Sequence, residues 1–451
     1  MSCDHVPVTL LDLLSNYLVL WQTVPYLPIS GLLSLSTTSK AFQNLLLQTP
    51  GVFRYLDLSS VKGAAVPLGS IDVGGEVWRA ERMDEAVTED DFYAGPLRGV
   101  CSNLRRKNIL GDVQTLILDG LSVPADLIWE IVGASEYNVR ILSIREVKNL
   151  NENQLLQILR HCVRPSRPKG TPKLKGLYVF GQKDASRLVT MGSASEVQTI
   201  NNSRGVMSSE GAQLGMEPNH KSYNMLSSVS TADDSWYGSF GRLLSKALVR
   251  DWAETIAACE GLIAFDAVLC RGPRHSILCP SVDIHDPAFV DVKELLESCY
   301  LPPAIATIAL GPNGCALCHT SPEAPLIYGE SSQGALPLLA PPPLHSPSVR
   351  SAQCPSSATR TPAKLFARCA VCLADRWCER CNKWWCERCF ENKEFGLSTN
   401  LRPLDAPLDV IAAGYIDGKR SKDIKVHLGL CTEGCLVGEM MAGAGEGGMW
   451  G

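Results

Sequence analysis

Near the start of the chain, apolar positions recur at helical spacing. Leu11, Leu14, Leu18 and Trp21 share one face of a helix, which Pro25 and Pro28 then end. A second short helix fits Ile29 to Leu35. A third fits Ser39 to Gln48, with Phe42, Leu45 and Leu46 facing inward. Pro50 closes this stretch, and Val52-Phe53-Arg54-Tyr55-Leu56-Asp57-Leu58 reads as a strand. Residues 6–59 are therefore expected to form a small helical module leading into a strand, whereas residues 60–110 carry little pattern.

From Asp112 the pattern changes. Val113 to Leu121 predicts a strand with Leu116 and Leu118 on one face, followed by a helix from Ala125 to Gly133. Val139 to Arg145 repeats the strand, Asn151 to Cys162 the helix, and Leu174 to Phe180 the strand again. Leu116 to Leu142 and Leu118 to Ile144 are both intervals of 26 positions, the period of a leucine-rich repeat with one strand and one helix per unit. The next interval, Leu142 to Leu177, stretches to 35 because a Pro/Lys-rich loop from Arg164 to Lys173 intervenes. These units cover 110–181.

Residues 182–240 are rich in Ser, Asn and Gly and are expected to be a disordered insert. The repeat pattern resumes over 241–320: a helix from Leu244 to Cys259, a strand from Leu262 to Leu269, a helix from Pro287 to Cys299 and a strand from Ile305 to Leu310. The solenoid would thus have about five strands, with the insert looped out of it. A Pro/Ser-rich linker is expected over 328–362, a cysteine-rich module over 365–440 and a Gly-rich disordered tail over 441–451. The fold class is α/β and multidomain: a short all-α module, an α/β solenoid of leucine-rich-repeat type, and a small cross-brace-like module stabilised by zinc.

The cysteines decide the chemistry. Eight of the 18 form Cys369-x2-Cys372, Cys378-x2-Cys381, Cys386-x2-Cys389 and, after 41 further residues, Cys431-x3-Cys435. The N-terminus, Met1-Ser-Cys-Asp-His, lacks the positive start of a secretory signal, and a reducing compartment favours metal over disulfides. Each short turn presents two sulfurs, so eight ligands hold two structural Zn2+ ions with no coordination position left for water. The first three pairs are separated by only five and four residues, tight for neighbouring knuckles to close on one ion. A cross-brace relieves this, with Cys369, Cys372, Cys386 and Cys389 on one ion and Cys378, Cys381, Cys431 and Cys435 on the other. Trp377, Trp384 and Trp385 are expected to pack around these sites, with a partner-binding aromatic patch as the alternative.

Cys315-x2-Cys318-His319 matches a haem-attachment pattern in form. Without export the pattern points away from haem, and a further zinc knuckle completed by Cys354 or a sulfur of the main module is the other reading. Cys270 and Cys279 read as buried repeat-core residues, and His275 and His285 as loop residues.

Other classes are excluded by what the chain lacks. With 45% apolar content its 451 residues can fill several cores, and a net charge of −5 leaves no electrostatic footprint for nucleic acid. The first apolar stretch, Leu10 to Trp21, is interrupted by Asp12 and Asn16 and is too short for a bilayer, so the expectation is a protein of the cytoplasm or nucleus with no membrane partner. Phosphate-binding, serine-hydrolase and zinc-protease motifs do not occur, which favours binding over turnover.

Leu27-Pro28-Ile29-Ser30-Gly31-Leu32-Leu33-Ser34-Leu35-Ser36, with Ser39-Lys40-Ala41-Phe42, Leu45-Leu46, Pro50, Phe53 and Leu56-Asp57-Leu58, resembles the second half of an F-box. Val6-Pro7 stands where that family has Leu-Pro. Repeats directly after the box are common in the family, and the segment Arg368 to Cys389 is similar to one in filamentous-fungal F-box-like proteins. The resemblance implies an adaptor without catalysis. Its helices would dock on the Skp adaptor of a Skp–cullin–F-box ubiquitin ligase, and its repeats would hold a protein substrate. Pro28, Ile29, Leu32 and Leu33 are the expected exposed anchors; the alternative is that they cap the first repeat. Two further readings follow the zinc module. It also resembles RING fingers, which would make the chain a ubiquitin ligase in its own right, and PHD or ZZ fingers, which would make it a peptide reader.

Overall fold

The structure is a computed structural model that describes residues 9–65, 89–183, 241–242, 244, 251–275, 301–311, 314–320, 323, 325–338, 342–353, 364–391 and 424–443. Most of the expected insert, the helix at 287–299 and most of the glycine-rich tail lie outside these residues. The chain divides into two compact units. The first comprises Met1–Gly238, Ala258–Asp266 and Pro337–Ala358, and the second Ser239–Ala257, Ala267–Leu336 and Thr359–Gly451.

The first unit opens with four helices, α1 (Leu10–Ser15), α2 (Tyr17–Thr23), α3 (Ile29–Thr38) and α4 (Lys40–Gln48). The single helix expected at 10–21 is two. The Asn16 side chain accepts a hydrogen bond from Leu18 N (3.0 Å) and restarts the helix as its N-cap. The restart rotates the apolar face, so Leu20 and Val24 are buried with Leu14 while Leu18 turns outward. Ser39 caps α4 by accepting from Phe42 N, and Leu46 is fully buried.

These helices are fastened to the strand β1 (Tyr55–Asp57) by polar contacts as well as packing. The Arg54 guanidinium lies 3.4 Å from the Trp21 ring centre and donates to Trp21 O (2.8 Å) and Gly51 O (3.0 Å). The Asp112 carboxylate accepts from Gly51 N (2.8 Å) and Phe53 N (3.2 Å). Gly51 sits at φ +81°, and a Cβ there would lie 2.4 Å from the Trp21 ring, so this turn requires glycine.

Strands β1, β2 (Thr115–Ile117), β3 (Ile141–Ser143), β4 (Gly176–Tyr178) and β6 (Ala264–Phe265) form one parallel sheet in chain order. The register aligns Leu56, Leu116, Leu142, Leu177 and Phe265 in a buried row across all five strands. Between the strands run α5 (Glu89–Arg106), α6 (Ala125–Gly133) and α7 (Glu152–Val163). Leu127, Ile128 and Ile131 of α6 and Leu155, Leu156 and Leu159 of α7 are buried, as a parallel sheet covered by helices requires. The α/β class is therefore correct at the level of a five-stranded parallel sheet with helices in the connections.

Three expectations change. The unpatterned 60–110 stretch contains α5, whose Ala94, Leu97, Cys101 and Leu104 are buried despite Pro96 within the helix. The strand expected at Ile305–Leu310 is outside the parallel sheet. Strand β7 (Ile308–Ala309) instead pairs antiparallel with β5 (Gly241–Arg242) and β10 (Ala367–Arg368) in the second unit, and β1 takes its place in the count of five.

The third change concerns the expected linker. Leu338 N donates to Phe265 O (2.7 Å) beside the β6 edge, and Leu338 joins Ile141, Tyr178 and Ala352 in one buried cluster. A Cβ on Gly176 would come 3.2 Å from Leu338 Cδ1, so a glycine in β4 admits this side chain. Residues 337–338 and 342–353, ending in the helix α9 (Val349–Gln353), thus lie over the sheet face opposite the leucine row rather than spanning solvent. Apolar side chains at Leu338 and Ala352 gain more by burial there than in an extended tether.

Candidate metal centres

All the clustered cysteines lie in the second unit. Residues 377–385 form a tight loop closed by an antiparallel bridge between Trp377 and Trp384 and by Cys378 N donating to Lys383 O (2.8 Å). Asn382, at φ 56°, supplies the left-handed residue that turns it. Cys378 and Cys381 stand on this loop. Cys386 follows it, and Cys389 lies in the short helix α10 (Glu387–Glu391). Cys431 ends the hairpin of β11 (Val426–His427) and β12 (Leu430–Cys431), and Cys435 begins α11 (Cys435–Gly443).

Two groups of four sulfurs converge. Cys378, Cys381, Cys431 and Cys435 lie with all Sγ atoms within 4.8 Å of one another, and so do Cys315, Cys318, Cys386 and Cys389. Cys381 Sγ to Cys431 Sγ and Cys318 Sγ to Cys386 Sγ are both 3.8 Å. Disulfide sulfurs would be about 2.05 Å apart. Two sulfurs sharing a tetrahedral ion at about 2.3 Å are separated by the tetrahedron edge, about 3.8 Å. Backbone donors complete the pattern: Cys431 N points at Cys378 Sγ (3.2 Å) and Cys386 N at Cys315 Sγ (3.3 Å). Both groups could hold a metal ion.

The expected pairing holds for one group and fails for the other. Cys378 and Cys381 do face Cys431 and Cys435. Cys386 and Cys389 meet Cys315 and Cys318, not Cys369 and Cys372. The interleaving of a cross-brace is kept, first pair with third and second with fourth, but its first pair is the knuckle at 315–318. Backbone geometry explains this. Gly314 at φ +78° and His319 at φ 54° fold that knuckle so that Cys315 N donates to Thr320 O (2.9 Å) and Ala316 N to Trp384 O (2.8 Å). The knuckle is thereby held against the Trp loop. Cys369 and Cys372 lie instead beside Cys270 and His275, and the ligating atoms of Cys270, His275 and Cys369 are within 4.8 Å of each other. Cys270 is thus no repeat-core residue. Cys354, Cys279 and His285 lie outside the described residues.

The surroundings tune the sulfurs unequally. Hydrogen bonds from the Thr320 side chain and backbone bring the Cys318 thiol down to about 6. At Cys378 burial pushes the thiol up, but the N–H groups of Cys381 and Cys431 outweigh it and leave it at about 7. Cys386 and Cys435 are pushed up, first by burial and then by neighbouring sulfurs. Each group therefore sets one thiol lowered in pKa beside thiols that are raised, and a bound cation would favour the thiolate form of all of them.

Trp377, Trp384 and Trp385 are buried with Ile308, Leu310, Phe366, Leu373 and Val426 in the core that both groups share. They pack around the sites, as expected. Beneath them Arg376, with no exposed surface, pairs with Glu323 (2.7 Å) and Glu387 (3.1 Å), and Arg368 pairs with Glu323 (3.2 Å).

The four anchor residues expected in the helical module divide. Pro28 is exposed and Leu33 half-buried, but Ile29 and Leu32 are buried in the module core and present nothing to a partner. The exposed apolar surface lies elsewhere: Leu10 (55%), Leu13 (48%), Tyr17 (51%) and Leu18 (72%) on α1 and α2, with Tyr26 and Leu27 beyond them. Among the described residues, no helix is long and apolar enough to cross a membrane. No family model, curated protein or solved structure matches the chain.

Proposed function

We propose that the chain is a non-catalytic substrate receptor that docks the Skp adaptor of a cullin ubiquitin ligase through its first two helices. The observation that carries this reading is the apolar face of Leu10, Leu13, Tyr17 and Leu18 on a module already anchored to β1. A bare solenoid cap would turn its apolar side chains onto the first strand and leave a polar outside. Here Leu14, Leu20 and Val24 satisfy the interior, and a second apolar face remains for a partner helix.

The sequential parallel strands, with α6 and α7 in successive connections, support a leucine-rich-repeat-like body behind that module. Leu338, Val349 and Ala352 pack on the face of β3, β4 and β6 that such a body would offer a substrate. The two four-sulfur groups are structural zinc sites. Sulfur-only donors among the described residues and the tetrahedral edge of 3.8 Å favour a soft tetrahedral ion such as Zn2+ over harder ions. The test is co-purification from cells expressing the full chain with the Skp adaptor and cullin. Wild type should retain both, and Leu13→Asp/Leu18→Asp should lose both.

One observation favours a second reading. The interleaved metal groups sit beside exposed Leu428 (86%), Val437, Met440 and Met441, an apolar rim that suits a RING-like surface for a ubiquitin-conjugating enzyme. Ubiquitin-chain formation by the zinc-loaded full chain without cullin, abolished by Leu428→Ala/Met440→Ala, would establish that reading instead.

A further inference from the structure

The cysteines left over from the two four-sulfur groups are not idle. Cys369 and Cys372, the knuckle displaced from the cross-brace, face a loop in which Cys270 and His275 point toward them. His275 Nε2 is 3.1 Å from Cys369 Sγ. The ligating atoms of Cys270, His275 and Cys369 lie within 4.8 Å of one another, and the Cys270 and Cys372 sulfurs both border Gly272. Cys372 Sγ rests on Gly272, where a Cβ would lie 2.1 Å from that sulfur, so only a glycine lets the loop approach. Cys372 N donates to Cys369 Sγ (3.3 Å), an N–H-to-sulfur bond within the knuckle.

We propose that Cys270, His275, Cys369 and Cys372 form a third tetrahedral zinc site of Cys3His type, separate from the two four-sulfur sites. The donor set is right for Zn2+, with three soft thiolates and one imidazole. Outer partners set it up. His275 Nδ1 lies 2.9 Å from Pro302 O and 3.3 Å from Leu301 O, so Nδ1 carries the proton as donor and Nε2 presents its lone pair to the sulfurs. Three thiolates and a dication leave one net negative charge, and the Arg376 guanidinium approaches it with Nη2 3.4 Å from Cys372 Sγ. The Nε2 to Sγ distance is a hydrogen-bond length. An ion at about 2.0 Å from nitrogen and 2.3 Å from sulfur displaces the shared proton and opens the pair to about 3.6 Å.

The site has a structural consequence. Cys270 and His275 precede Cys369 by about a hundred positions, and one ion would close that long loop onto the strand end at β10. The Arg274 to Glu387 pair (3.0 Å) fastens the same loop to α10. Three ions, not two, would then hold the module, with Arg376 touching the third site and the ion cluster beneath the Trp loop.

The inference rests on the zinc reading of the four-sulfur groups but not on the docking reading, and metal content of the full chain separates the outcomes. Zinc per chain should be three in wild type and two in Cys270→Ser/His275→Ala. Two in wild type, or three in the variant, overturns the third site. None or one in wild type overturns the reading of the four-sulfur groups as well. A second measurement needs no destabilised variant. Cadmium-113 spectra of the cadmium-loaded full chain should show two resonances typical of four sulfurs and one upfield, typical of three sulfurs and a nitrogen. His275→Cys should move only the upfield resonance into the four-sulfur range. Three equivalent resonances in wild type, or no movement in the variant, contradicts the assignment. Gly272→Ala, which removes no ligand but drives a Cβ into Cys372 Sγ, should weaken retention of one ion at least tenfold against a chelator and leave the other two unchanged.

Discussion

Replacing Glu323 with glutamine removes the one carboxylate that two buried guanidiniums share. Glu323 Oε1 is 2.7 Å from Arg376 Nη1 and Oε2 is 3.2 Å from Arg368 Nε, with all three side chains less than a tenth exposed. Arg376 keeps Glu387 at 3.1 Å, but among the described residues Arg368 is left with no anion, and its Nη2 has no hydrogen-bond partner there even in the wild type. Removing one partner of a buried pair costs about 3–5 kcal/mol, because the remaining charge stays desolvated. Glutamine keeps one acceptor, so the lower end applies. About 3 kcal/mol in a unit of this size lowers Tm by roughly 6–12 °C. Calorimetry at pH 7 with fixed free zinc should show that drop in the transition of the second unit.

The same substitution has a pH signature. Burial pushes the Glu323 carboxyl up, but Arg376, by charge and hydrogen bond, and then Arg368 outweigh it and hold the group below its ordinary 4.5. A depressed carboxylate stabilises the fold fully above that ordinary value, and the stabilisation drains away as pH falls below it. The Tm gap between wild type and Glu323→Gln should therefore be constant above pH 5 and close in more acid solution. A shift under 1 °C at pH 7, or a gap that widens in acid, would refute the ion-cluster account.

Leu142→Ala, in the middle of the buried row between Leu116 and Leu177, should cost about 2–5 kcal/mol by urea unfolding, whereas Leu18→Ser on the exposed face should stay within about 0.5 kcal/mol. Equal effects would mean the row is not the core. Gly51→Ala collides with the Trp21 ring and strains a left-handed turn, so it should cost about 1–3 kcal/mol and shift tryptophan fluorescence as Arg54 loses its stacking partner. Cys315→Ser/Cys318→Ser and Cys386→Ser/Cys389→Ser should each lose one zinc, and all four substitutions together should still lose only one. Loss of two by the combined variant would show that the two knuckles serve different ions.

How much of this was legible depended on whether the signal was local. The 26-position spacing of Leu116 and Leu142 carried directly into strand register, because a parallel row repeats wherever the leucines do. The metal-ligating residue types were equally plain, since a CxxC turn is its own evidence. Which knuckles share an ion was not, because Cys315 reaches Cys386 across 71 positions and nothing in the spacing encodes that closure. The period of Ala94, Leu97, Cys101 and Leu104 was present in the chain, but Gly95-Pro96 and Gly99 concealed it. At Ile29 and Leu32 the helix assignment was sound and its outward face was not. Asn16 splits the first helix, and that local hydrogen bond decides which apolar residues α1 and α2 turn to solvent. Leu338 and Ala352 sat in a proline-rich stretch whose composition says tether, and only the β6 edge and Gly176 made a place for them.

The most direct test of the adaptor account is a titration of the zinc-loaded full chain with purified Skp adaptor by calorimetry, comparing wild type with Leu13→Asp/Leu18→Asp and with Leu428→Ala. The account predicts a one-to-one complex of micromolar or tighter Kd, weakened at least a hundredfold by the charges on α1 and α2 and unchanged by Leu428→Ala. Absence of binding by a folded wild type, or equal binding by all three proteins, would contradict it.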